Sequence, residues 1–231
     1  LGRRQPPQVL YSRDSMSAWF GSSTPRVAQD PQPPPESDAP THPNEPAWGL
    51  VEALEARVKE HEGARPFVTL SWAQGLDGSM AHPNHDDPRL MISGKESMAL
   101  THGLRKAHAA IMVGRGTIAG DDPRLSVRMD IDGKDITIEE QPAAIILDGS
   151  LNTPPSSNIV SQAQMRRVII ITRGDSDNMC DFQEKPPKTW SMAQIQRGAA
   201  LSCRGAKVMC LPSTNLEDML KALKMLDIHS V

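Results

Sequence analysis

Apolar residues follow two rhythms along this chain. From Trp48 to His61, Leu50, Val51, Leu54 and Val58 recur at helical spacing with charges between them, which predicts an amphipathic helix leading into a folded domain. The stretches "KESMALTHGLRKAH" and "NLEDMLKALKMLD" keep that rhythm, the second with Leu216, Leu220, Leu223 and Leu226 on related faces. Elsewhere the apolar residues run together. "PFVTLSWA" has the pattern of a strand, and "AAIMVG", "AAIILDG", "VIIIT" and "AKVMCLP" have that of strands buried on both faces. Continuous apolar strands separated by helices imply an α/β fold with a largely parallel sheet flanked by helices. Ligands of such sheets usually sit beyond the carboxyl ends of the strands, where "GRGTIAGDDP" and "TRGD" are expected.

The first part of the chain has neither rhythm. Half of its 20 prolines precede residue 47, mixed with Ser, Asp and Gln, a composition that cannot bury enough apolar surface to order itself. Residues 1–46 are therefore expected to be a disordered Pro-rich extension, with a proline-rich docking ligand as the sharper alternative. Residues 47–231 are expected to form the folded domain. Within it, "MCDFQEKPPKTWSMAQIQRGAALSC" looks like an insertion between strands and is expected to be a mobile loop.

Composition narrows the function classes. With 231 residues, 38% hydrophobic, 23% charged and a net charge of −3, the chain suits one soluble domain with a real core. Few aromatic residues and no long Lys/Arg run argue against a nucleic-acid partner. No stretch has the apolar length of a membrane span, and Leu1 to Phe20 lacks a signal-peptide apolar region, so a cytoplasmic location is expected. Cys180, Cys203 and Cys210 lack CxxC spacing, which points to neither a disulfide framework nor a zinc knuckle. A metal is not expected at "HPNHDDPR" either, since His82, His85, Asp86 and Asp87 lie in what looks like an inserted polar loop without helical i, i+4 geometry. The opening Leu in place of Met implies a sequence that is not a complete translation product.

The segment "IMVGRGTIAGDDPRL" poses the chemical question. Gly114, Gly116 and Gly120 let main-chain amides approach an anionic ligand, and Gly114-Arg-Gly116-Thr-Ile-Ala119 matches the permissive dinucleotide fingerprint. That fingerprint requires a following helix, whereas Pro123 is expected to end any helix here. Glycines alone leave a ligand loop and a structural turn equally open.

The neighbouring residues carry a family resemblance. "RPFVTLSWAQGLDGSMA", "ISGKESMALTHGLRKAHAAIMVGRGTIAGDDPRLSVR" and "AAIILDGSLNTP" resemble successive motifs of the riboflavin-pathway pyrimidine reductases, a branch of the dihydrofolate-reductase-like fold. The resemblance runs from Arg65 to the end of the chain. The His-x-Glu and Pro-Cys-x-x-Cys motifs of the deaminase domain fused to bacterial members do not occur in it. It therefore resembles the stand-alone fungal or archaeal type, and the Pro-rich extension tilts this toward the fungal kind.

That resemblance implies NADPH as cofactor and 2,5-diamino-6-ribosylamino-4(3H)-pyrimidinone 5′-phosphate as substrate, with the deaminated uracil form as an alternative. It also implies a homodimer. Gln74, Gly114, Gly116, Thr117 and Asp121 fall on cofactor-contacting positions, and Met91 occupies the place where bacterial members carry Trp beside the cofactor. Arg105, Leu125 and Arg128 match substrate-binding positions, the two arginines offering the charge-assisted grip a sugar phosphate requires. Asp77 matches an acid at a strand end beside the pocket and is the catalytic candidate, although Asp-Gly is also an ordinary turn pair. Asp122 is expected to cap a turn with Pro123. His102 and His108 are expected to pack or face solvent. The family continues with a phosphate-binding loop close to "MVEGGA", while this sequence ends at "DIHSV", so an incomplete domain is expected. A catalytically inactive binding or regulatory homologue is the alternative from a different class.

Overall fold

The structure is a computed structural model that describes residues 45–80, 92–128, 136–175, 179–213 and 215–231. The expectations for residues 1–44, for "HPNHDDPR" and for Met91 lie outside the described residues.

The buried strands form as their apolar runs predict. β1 (Ala110–Gly114), β2 (Ala143–Leu147), β3 (Val168–Arg173) and β5 (Lys207–Leu211) are parallel, β4 (Cys180–Asp181) is antiparallel to β5, and the order is β1-β2-β3-β5-β4. Because side chains alternate along a strand, each run feeds two cores. Ala144, Ile146, Val168, Ile170, Val208 and Cys210 face one layer, while Ile145, Ile169, Ile171, Met209 and Leu211 face the other. A fully buried Ile of this kind contributes roughly 1.5–3 kcal/mol relative to an exposed one.

Helices cover both faces. α5 (Leu216–Met225) seals the second layer with Met219, Leu220, Ala222 and Leu223, and Asn215 caps its first turn by accepting from Asp218 N at 2.8 Å. Leu216, expected on that face, is 58% exposed, because the buried stripe runs through Met219 and Ala222 instead. α1 (Glu45–Lys59) packs on α2 (Lys95–Lys106), burying Val51.

Three expectations are corrected. The segment expected to be a mobile loop is ordered: it contains β4 and α4 (Met192–Cys203), the latter opened by a capping box between Ser191 and Gln194. Phe182 and Trp190 stack at 5.3 Å beneath α4, whose Leu201 is fully buried. The glycine loop is helical, since α3 (Arg115–Asp121) forms directly after β1 and buries Ile118 in the first core. Pro123 does follow its end. Finally, "PFVTLSWA" pairs only at its start. Phe67 and Thr69 exchange backbone hydrogen bonds with His229 and Val231, and past them Leu70 and Trp72 are exposed.

Candidate functional site

Two elements present the chemistry. α2 ends beside β1 and carries His102 and Arg105, with His108 just past its end, and α3 leads without interruption into the extended segment Asp122–Arg128. Asp122 turns that corner with a left-handed backbone, φ 41°. Its carboxylate accepts from Asn158 N and Nδ2 at 2.8 and 2.9 Å, so it anchors a loop 36 residues away rather than capping a turn with Pro123.

The substrate candidates come together. Arg105 is half-buried and donates from Nη1 to Ser126 O at 3.0 Å, and Leu125 beside it is buried with φ 51°. Arg128 N donates to His102 Nδ1 at 3.4 Å, which requires that nitrogen to be unprotonated. Burial and then the Arg128 charge hold the Arg105 guanidinium below its ordinary value. His102 is lowered by burial first and then by Arg105 and Arg128. Among the described residues, no carboxylate lies within ion-pair distance of either guanidinium. Among the described residues the two guanidinium groups thus stand together without a counter-charge, an arrangement suited to an anion.

A cleft of about 280 Å³ borders this cluster, lined by Val68–Ser71, Thr101, Arg105, His108, the edge of β1, Leu125 and Val231. Beside it, Ala110 N donates to Ser230 O at 3.1 Å and Val231 N to Phe67 O at 2.9 Å. α3 follows at the carboxyl end of β1, and the cleft, with Arg105 in its lining, runs along the edge of that strand. There, buried His108 donates from Nδ1 to Leu104 O at 2.7 Å and accepts at Nε2 from Thr69 Oγ1 at 2.8 Å. Sequence reasoning placed His108 in packing, and no local pattern links it to Thr69, 39 residues away.

The cofactor candidates lie on α3. Gly114, Gly116, Thr117 and Asp121 are exposed, and a Cβ at Gly114, Gly116 or Gly120 would meet nothing within 4 Å. None of the three has a positive φ. Neither packing nor backbone conformation demands glycine there, so the open surface suits close approach of a ligand and fits the implied cofactor. Gln74 and Asp77 lie apart from the cleft lining. Gln74 Oε1 accepts from Trp72 Nε1 at 3.2 Å. Asp77 closes an exposed turn, accepting from Ser79 N and Oγ at 3.0 and 2.8 Å, and these bonds hold its carboxyl below the usual range.

A further acid was missed. Asp148, at the end of β2, is 2% exposed, and its Oδ2 accepts from Thr153 N and Oγ1 at 2.6 and 2.7 Å. Its Oδ1 has no hydrogen-bond partner among the described residues. The only sequence signal was its place in "LDGSLNTP" just past an apolar run.

Residues 66–231, which include all of these side chains, match the RibD C-terminal domain. The chain belongs to the RibD C-terminal domain family. Its riboflavin biosynthesis protein RibD relative from Aquifex aeolicus is 33% identical over 164 residues, covering 71% of this chain and 38% of that protein. The 2,5-diamino-6-ribosylamino-4(3H)-pyrimidinone 5′-phosphate reductase of Eremothecium gossypii is 44% identical over 85 residues, 36% of this chain and 34% of that protein. The chain thus spans well under half the length of these curated relatives. Acinetobacter baumannii RibD, form 1, shares the fold with a TM-score of 0.53 at 23% identity, over 73% of this chain and 39% of that one. The mostly parallel, helix-flanked sheet expected from the sequence is that of RibD reductase domains with a dihydrofolate-reductase-like fold. No described helix is long and apolar enough to cross a membrane.

Proposed function

We propose that this RibD C-terminal domain reduces the ribosylamino group of 2,5-diamino-6-ribosylamino-4(3H)-pyrimidinone 5′-phosphate to the ribitylamino form with NADPH. The observation that carries this reading is the pair Arg105 and Arg128, close enough for each charge to act on the other, with Arg105 bound to Ser126 O and no carboxylate in ion-pair distance among the described residues. Planar guanidinium groups bind phosphate oxygens by charge-assisted hydrogen bonds, and a half-buried setting strengthens them. Leu125 supplies the apolar wall beside them, and His102 in its neutral form adds no competing charge at neutral pH.

On α3, Thr117 would hold the cofactor through its hydroxyl and Asp121 would accept hydrogen bonds from it, while Gly114 at the end of β1 and Gly116 would allow it close to the backbone. A nicotinamide bound there would supply the hydride gained by the former anomeric carbon of the opened sugar, with the matching proton taken from solvent. The chain's own work is to hold sugar and cofactor in register and to exclude water. The turn geometry at Asp77 supports a role in shaping its loop rather than in proton transfer.

The test is to incubate the complete protein with NADPH and, separately, with the diamino-pyrimidinone and the deaminated uracil substrate, and to identify the products by mass spectrometry. A product two hydrogens heavier from the diamino compound supports the reading. Reduction of the uracil compound alone moves the substrate to the deaminated form, and no reduction of either leaves a binding or regulatory protein.

A further inference from the structure

The segment that carries Leu125 and Arg128 is held almost entirely by side chains. Among the described residues, Arg124–Arg128 make no backbone-to-backbone hydrogen bond and join no strand. Instead Arg166 donates from Nη1 to Arg124 O at 2.9 Å and from Nη2 to Leu125 O at 2.8 Å, while its Nε donates to Pro142 O at 2.7 Å. Gln141 takes Val127, two residues on, at both ends: its Oε1 accepts from Val127 N and its Nε2 donates to Val127 O, each at 2.7 Å. Gln141 thereby does what a neighbouring strand would do for Val127.

Arg166 is only 4% exposed, and among the described residues it has no carboxylate partner. Burying a lone guanidinium is costly, so three carbonyls aligned on its three donor edges mark a built arrangement. Burial lowers its pKa to about 10, which still leaves it charged at neutral pH. Pro142 immediately precedes β2, and Arg166 itself lies just before β3, so the guanidinium ties the segment to the rigid start of two central strands. It also helps hold Leu125 at its left-handed φ of 51°.

We propose that Arg166 and Gln141 are positioning residues that set the register of the substrate segment, acting on substrate through Leu125 and Arg128 without touching it. This rests on the reductase reading above. A displacement of such a segment by about an ångström costs on the order of 100-fold in efficiency when geometry governs the reaction.

Two variants of the complete protein test it, Arg166→Met and the isosteric Gln141→Glu, which keeps the acceptor for Val127 N and removes the donor to Val127 O. The readouts are KM for the ribosylamino-pyrimidine phosphate, Kd for NADPH and kcat. The expected result is a KM raised about 10- to 100-fold with NADPH affinity unchanged within about twofold. Should Arg166→Met fail to fold, Gln141→Glu decides alone. Wild-type-like KM in the folded variants, or equal weakening of both ligands, overturns the positioning role while wild-type turnover keeps the reductase reading. Absence of any reduction by the wild type overturns that reading and the proposal with it.

Discussion

The guanidinium of Arg105 donates to the carbonyl of Ser126 at 3.0 Å, joining the end of α2 to a segment 21 residues further along the chain. With the bond from Arg128 N to His102 Nδ1, it aligns the helix and the segment that present the candidate substrate groups. Among the described residues the remaining Arg105 donors have no other hydrogen-bond partner, so they can serve a ligand.

Replacing Arg105 or Arg128 with Ala should therefore raise KM for the sugar-phosphate substrate far more than it affects NADPH binding. Loss of a charge-assisted hydrogen bond costs about 1.5–3 kcal/mol, or about 10- to 100-fold. Arg105→Lys should recover only part of this, because an ammonium cannot reach Ser126 O and a phosphate in the same planar geometry. Steady-state kinetics with each ligand varied checks the split, and equal effects on both ligands would make the arginines structural.

Two helical glycines should respond oppositely to Ala. At Gly116 a Cβ meets nothing, so Gly116→Ala should raise Tm, by up to about 1 kcal/mol of helix propensity, while weakening NADPH binding. At Gly198 a Cβ would lie 2.8 Å from Phe182 Cζ, so Gly198→Ala should destabilise by about 1–3 kcal/mol and leave NADPH affinity unchanged in the folded fraction. Thermal melts paired with calorimetry separate the two. Thr117→Val and Asp121→Ala should follow Gly116→Ala in weakening NADPH.

His102 supplies the pH dependence. The folded protein holds its pKa below 6.5, by burial and then by Arg105 and Arg128, so as pH falls past 6.5 the unfolded chain takes up the proton first. The stability this group contributes is complete above 6.5 and is lost as pH drops through the window below it. His102→Gln should flatten the Tm profile in that window. A phosphate bound between the arginines should move the His102 titration upward, an effect visible by NMR of its ring.

Among the cysteines, burial and then the neighbouring Cys180 push the Cys210 thiol up to about 12, whereas Cys203 is exposed. Iodoacetamide at neutral pH should therefore label Cys203 first and Cys210 last, as read by peptide mass spectrometry.

Much of the sheet was legible because the runs around Ile145, Ile170 and Val208 are apolar at every position, a pattern that strands covered on both faces require. α3 was obscured by glycines at 114, 116 and 120 and by the proline beyond it. Its one buried side chain, Ile118, gives too little periodicity to signal a helix of 7 residues. α4 announced itself only through Ser191 and Gln194, three residues apart after a Lys- and Pro-rich stretch. The chemistry was less legible than the elements. Arg105, Leu125 and Arg128 were candidates by family resemblance alone, whereas the bond from Arg166 to Leu125 O spans 41 residues, and no local pattern encodes such a contact. Asp77 shows the converse, a motif position that the fold uses to close an exposed turn.

The most direct test of the reductase reading follows the hydrogen itself. The complete protein would be supplied with NADPH deuterated at the transferable position of the nicotinamide, together with the ribosylamino-pyrimidine phosphate, and the product examined by NMR. The account predicts one deuterium on the former anomeric carbon of the ribityl chain, with its incorporation slowed in Arg105→Ala. A ribityl product without deuterium at that carbon, or no product at all, would contradict it.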